Sequence, residues 1–228
     1  MQHLLFLHGA LGTKNQFAGL ESALAHRFRT HAINFSGHGR VPSHHHAFTI
    51  QNFAHEVLDW MNEQQIKTID VFGYSMGGYV ALWLARFYPE RVGKLITLGT
   101  KWKWNKEEAS RETALLDADK IVAKVPHYAA TLAEQHGEQE WRSMMAKTAL
   151  LMNDLAHTHL AEQDFVKVEH PVLILLGEED KMVTRQETEW VGRLLKQASV
   201  KVLNQVPHPL DKVPVKLLTP EIENFLLA

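Results

Sequence analysis

Short apolar runs recur along the chain at residues 4–7, 32–35, 69–72, 95–98 and 172–176, with a weaker one at 200–203. Val172-Leu173-Ile174-Leu175-Leu176 shows no apolar–polar alternation, as a strand covered on both faces requires. Between the runs, apolar residues return at helical spacing. Phe53, Val57, Trp60 and Met61 make one face; Val80, Leu84 and Phe87 make another, closed by Pro89. Ile222, Phe225 and Leu226 make a last face after Thr219-Pro220, with the proline expected in the helix's first turn. Runs and faces in alternation predict an α/β chain: a parallel sheet of about six strands, with helices on both faces.

The alternation stops between about 101 and 157, a strand-poor, helix-rich stretch. Asn105-Lys106-Glu107-Glu108 has the form of a capping box, in which the Asn side chain accepts from the Glu108 N–H. Pro126 and Gly137 divide the stretch into three or four short helices. An insertion of this size at one end of a sheet reads as a cap over a site, within a single domain spanning 1–228. His44-His45-His46 reads as a solvated loop, because consecutive side chains diverge and no carboxylate stands at a ligand spacing.

Composition narrows the function classes. A net charge of −2 offers nothing to nucleic acid or an anionic membrane. With no cysteine, disulfides, thiol nucleophiles and thiolate metal sites are excluded, and a cytoplasmic location is expected. The first residues lack a basic leader and a long apolar core, so a strand rather than a signal peptide is expected there. No apolar run approaches the ~20 residues of a spanning helix. A phosphate loop is missing too, since Gly9-Ala10-Leu11-Gly12 lacks the Lys and Ser/Thr it needs. No metal or cofactor is expected.

The chemistry starts at Gly73-Tyr74-Ser75-Met76-Gly77, directly after the run 69–72. G-x-S-x-G between a strand and a helix puts a serine hydroxyl on a sharp turn above the sheet, where it can act as a nucleophile. Three further motifs accompany it: Leu7-His8-Gly9-Ala10-Leu11-Gly12, Phe35-Ser36-Gly37-His38-Gly39-Arg40 and Gly177-Glu178-Glu179-Asp180. His208 follows the last run. In this order the series resembles the α/β-hydrolase fold serine hydrolases (esterase- and lipase-like, cofactor-independent) over nearly the whole chain. The resemblance implies a triad of Ser75, Asp180 and His208. It selects Asp180 over Glu178 and Glu179 through the family's G-x-x-D step, and His208 through the order Ser, acid, His. It also implies an oxyanion hole from the backbone N–H groups of Ala10 and Met76. The chain departs from the family in Pro207-His208-Pro209, where glycine more often precedes the histidine. It departs again in Ser36-Gly37-His38-Gly39-Arg40, which reads as a shaped turn near the site. His8 and His38 read as structural hydrogen-bonding residues. The run at 4–7 resembles the family's third strand, so a six-stranded sheet is expected instead of eight.

Leu11, Trp102 and Trp104 are the candidate substrate-binding residues. With Trp141, Met144, Met145, Leu150, Leu151 and Met152 they suggest a mostly apolar pocket. The resulting expectation is hydrolysis of a small carboxylic ester or thioester through an acyl-enzyme. The same fold and triad also serve carbon–carbon bond hydrolases, lyases and perhydrolases, and some members only bind a ligand.

Overall fold

Six strands form one sheet in the computed structural model, which describes residues 1–43 and 47–228. The loop expected at His44-His45-His46 lies outside the described residues. The strands are β1 (Gln2–Leu7), β2 (Phe28–Ile33), β3 (Ile69–Tyr74), β4 (Val92–Leu98), β5 (Val172–Gly177) and β6 (Ala198–Leu203). Their spatial order is β2-β1-β3-β4-β5-β6, and every neighbouring pair is parallel.

Strand side chains alternate between two cores. Leu5, Leu7, Val71, Leu95 and Ile174 pack with helices α2 (Ile50–Glu63), α3 (Met76–Phe87) and α9 (Arg185–Leu194). Leu4, Phe6, Phe72, Ile96 and Leu175 pack with α1 (Ala18–Leu24) and α10 (Val215–Leu227). Every residue of α3 from Met76 to Ala85 is buried, as suits a helix apolar on all sides.

Two sequence expectations shift. Half of the run 32–35 lies beyond its strand, because β2 starts at Phe28 and ends at Ile33. As an edge strand with one fully buried residue, β2 has no continuous apolar run to mark it. Phe35 belongs instead to the following loop, stacked on Phe53 with centroids 4.6 Å apart. At the other end, α10 starts at Val215, so Pro220 lies inside the helix, not in its first turn. Leu218, Ile222 and Leu226 form one buried stripe, and that burial offsets the hydrogen bond the proline removes.

The segment between β4 and β5 is helical: α4 (Lys106–Thr113), α5 (Ala118–Lys124), α6 (Pro126–His136), α7 (Glu140–Thr158) and α8 (Glu162–Phe165). Asn105 Oδ1 accepts from the Glu108 N–H at 2.8 Å and starts α4. Pro126 opens α6, and Gly137, at φ 110°, closes it. The 19-residue α7 bridges two environments. Leu151 and Leu155 rest on the main core; Trp141 and Met145 pack with Leu132 in a separate cluster. Among the described residues, no helix is long and apolar enough to cross a membrane.

Candidate active site

Neighbouring β1 and β3 send their connections in opposite directions, which opens a crevice at their carboxyl ends. Ser75 follows β3 there, at φ 51° and ψ −116°, a strained conformation for a residue with a side chain. Its surroundings hold it in place. The Ser75 N–H donates to Leu98 O at 2.8 Å, and Ser75 O accepts from the Gly78 N–H at 3.0 Å and Thr100 Oγ1 at 3.1 Å. The turn requires its glycines. A Cβ at Gly73 would lie 2.5 Å from Gly78 N, and one at Gly77 would run into the Leu7 and His8 backbone.

Asp180 follows β5, and His208 lies in the loop after β6. His208 Nδ1 and Asp180 Oδ2 are 2.7 Å apart, and the Asp180 side chain is 1% exposed. An ionised carboxylate only accepts, so Nδ1 carries the proton and Nε2 presents a lone pair. The Met182 and Val183 N–H groups donate to Asp180 Oδ1 at 2.8 and 2.9 Å and fix the carboxylate. Tyr74 OH donates to His208 O at 3.0 Å and steadies the proline-flanked loop. Gly99, at φ 60°, admits the pair: a Cβ there would lie 3.2 Å from both Asp180 Oδ2 and His208 Nδ1.

Ala10 follows β1, and Met76 is the first residue of α3. Among the described residues neither backbone N–H meets a protein acceptor, and the α3 dipole adds positive potential at Met76. Gly9 lets this loop close on the elbow; a Cβ there would lie 3.1 Å from Ser75 Cβ.

Ser75 lies between two spaces. One is a slot of about 40 Å³, lined by Met76, Tyr79, Trp104, Leu151 and Leu155, with Lys101 at its edge. The other is an open cleft of about 760 Å³ that also holds His208, Leu11 and Glu112. Trp104 and Leu11 thus line cavities beside Ser75. Trp102 does not: it is 1% exposed, packed against Tyr79 and Phe165, and lines neither space. Trp141 and Met145 belong to the helical segment's own packing, and Leu150 is exposed. A further groove of about 650 Å³ lies over β2 and α2 and holds none of these residues.

The pocket is less apolar than its sequence suggests. Lys101 Nζ lies 2.5 Å from Glu108 Oε2, 3.9 Å from Glu112 Oε1 and 4.0 Å from Glu187 Oε2. In the sequence Glu108 reads as part of a capping box, and nothing marks Glu112. Only the docking of α4 shows that Glu112 turns inward. Lys101 carried a clue, since it stands just past β4, at the carboxyl end of the sheet where the other site residues gather.

His8 and His38 are fully buried and make the structural bonds expected. His8 Nδ1 donates to Gly9 O at 2.8 Å while its Nε2 accepts from the Phe35 N–H at 3.2 Å; His38 Nδ1 donates to Ser36 O at 3.0 Å. His136, at the end of α6, joins them. Its Nδ1 accepts from the Gly39 N–H and its Nε2 donates to Leu11 O, each at 3.1 Å. Burial lowers the pKa of all three, His8 to about 4.

A family model described as alpha/beta hydrolase fold matches residues 2–151. A probable alcohol acetyltransferase of Cyberlindnera fabianii is 29% identical over 101 residues, 42% of this chain but only 26% of that protein. The chain thus matches about a quarter of that relative's length. The pimeloyl-[acyl-carrier protein] methyl ester esterase of Nitrosomonas europaea is 23% identical over 90% of this chain and 88% of its own. Among solved structures, 2-hydroxy-6-oxo-6-phenylhexa-2,4-dienoate hydrolase from Rhodococcus sp. strain RHA1 superposes with a TM-score of 0.83. It is 19% identical, and the match covers all of this chain and 91% of that one.

Proposed function

The chain belongs to the alpha/beta hydrolase fold family, and from that premise we propose that it is a serine esterase for small carboxylic esters, with Ser75, His208 and Asp180 as its triad. The observation that carries this reading is the 2.7 Å His208–Asp180 pair, whose imidazole lines the same cleft as a serine held at a strained φ of 51°. Ser75 Oγ attacks the ester carbonyl carbon and passes its proton to His208 Nε2. The carbonyl π electrons move to oxygen, and the Ala10 and Met76 N–H groups stabilise the oxyanion, each worth about 3 kcal/mol. Collapse breaks the C–O bond, and the alcohol leaves with the proton from His208. Water then attacks the acyl-serine by the same route, releasing the acid and restoring Ser75. Asp180 holds the imidazole in the productive tautomer and stabilises the imidazolium.

The helices from α4 to α7 act as a cap that shapes the substrate. A water needs roughly 10–15 Å³ of such space, so the slot of about 40 Å³ accepts an acyl group of only a few heavy atoms. The open cleft then takes the alcohol. Hydrolysis of p-nitrophenyl esters tests both parts. Acetate and propionate should be turned over and octanoate poorly, and Ser75→Ala should lose about 10⁴-fold or more of the activity while keeping the fold. Full turnover by that variant, or activity confined to vinylogous diketones, would overturn the esterase reading.

A further inference from the structure

Three carboxylates surround the Lys101 ammonium, and two of them are satisfied. Glu108 bonds both Lys101 and Arg111. Glu187 accepts from the Trp102 N–H at 2.9 Å and from Thr184 Oγ1 at 3.2 Å. Glu112 differs. It is 6% exposed and its carboxylate has no hydrogen bond among the described residues; its one ion-pair partner there is Lys101, at 3.9 Å. A carboxylate that lacks a protein donor and faces a cavity is a site for a donor from outside. Glu112 faces the cleft that holds Ser75 and His208.

The rest of the cleft agrees in charge. Asp211 adds a second carboxylate, and Tyr74 and Tyr128 add aromatic surface suited to a cation. Among the described residues no lysine or arginine lines it. Behind the wall, Lys101 and Arg111 face three glutamates, so the local balance stays negative. Such a cleft repels carboxylate- and phosphate-bearing substrates and attracts a protonated amine, whose N–H supplies the missing bond to Glu112.

We propose that Glu112 recognises an ammonium group on the alcohol part of the substrate, so that the favoured esters are those of amino alcohols. This rests on the esterase reading and names its substrate class. The test uses an isosteric pair: 2-(dimethylamino)ethyl acetate, protonated at about pH 7, and 3-methylbutyl acetate, which has carbon in place of nitrogen. The ratio of kcat/KM values should favour the amino ester by about tenfold or more, the scale of a hydrogen bond to a charged group. Glu112→Gln should bring the ratio towards one, with circular dichroism checking its fold. A wild-type ratio near one, or a ratio unmoved in folded Glu112→Gln, overturns the proposal. Calorimetry of wild-type protein with 2-(dimethylamino)ethanol and with 3-methylbutan-1-ol needs neither turnover nor a variant. Tighter binding of the amine supports the cation site even if no ester is cleaved, and equal binding sinks it. Turnover of 3-methylbutyl acetate, lost in Ser75→Ala, reports on the esterase reading separately.

Discussion

Ser75 shows how single residues specify the site. Its conformation is possible because neighbours with no side chain let the backbone of β1, the elbow and α3 close on one another. Gly77 is the sharpest case, since any Cβ would enter the Leu7 and His8 main chain, which cannot yield as a flexible side chain could. Gly77→Ala should therefore destabilise the protein by about 1–3 kcal/mol, seen as a lower denaturation midpoint. An unchanged midpoint would mean the elbow is looser than described. Asp180→Asn probes the opposite case, a residue whose shape matters less than its charge. The amide can still fill the space but can offer its own N–H to His208 Nδ1 and so favour the wrong tautomer. We expect about a 10⁴-fold fall in kcat with little change in melting temperature. A fall of less than about tenfold would contradict the assigned role.

At the scale of elements, legibility followed burial. The strands buried on both faces, β1, β3, β4 and β5, announce themselves as apolar runs, and α2 and α3 by their spacing. The edge strands do so weakly: β6 shows only as the weaker run 200–203, and β2 is half-exposed along most of its length, so that its run extends to Phe35, a loop residue apolar for another reason. Ser75 and the proposed acid and base, Asp180 and His208, stand where motif order puts them, after the carboxyl ends of β3, β5 and β6. Glu112 and Trp102 were not legible, because which way they face depends on how the helical segment docks. His136 is a main point of that docking, since it joins α6 to the Leu11 loop and to Gly39. His136→Ala should leave the Gly39 N–H without its partner, at a cost of about 1–3 kcal/mol. A thermal melt should show a drop of several degrees, or roughly 2–4 °C per kcal/mol for a chain of this size. No drop would mean that the cap docks without the histidine.

The whole molecule should sense acid through the same group of rings. His8, His38 and His136 are buried with lowered pKa values, His8 at about 4, whereas an unfolded chain's histidines titrate near 6.5. Between those values the unfolded chain binds protons that the native one refuses. Stability is therefore complete above about pH 6.5 and is lost as pH falls towards 4, with His8 alone contributing about 3 kcal/mol. Glu21, Asp70 and Glu112, raised by burial, partly oppose this, because the native chain takes up their protons above the usual carboxylate range. Urea midpoints should fall between about pH 6.5 and 4.5; a flat profile would show that the three rings take up protons without opening the loops they hold. One of these loops carries Ala10, a proposed oxyanion donor, so acid sensitivity and the proposed catalysis share one support. The central claim remains that Ser75 is the nucleophile. The measurement that reaches it most directly is labelling of the intact protein with a fluorophosphonate, followed by mass spectrometry of the modified peptide. The account predicts one phosphonylated residue, Ser75, with labelling absent in Ser75→Ala and strongly slowed in His208→Ala. Labelling at another residue, or none in the folded wild-type protein, would contradict it.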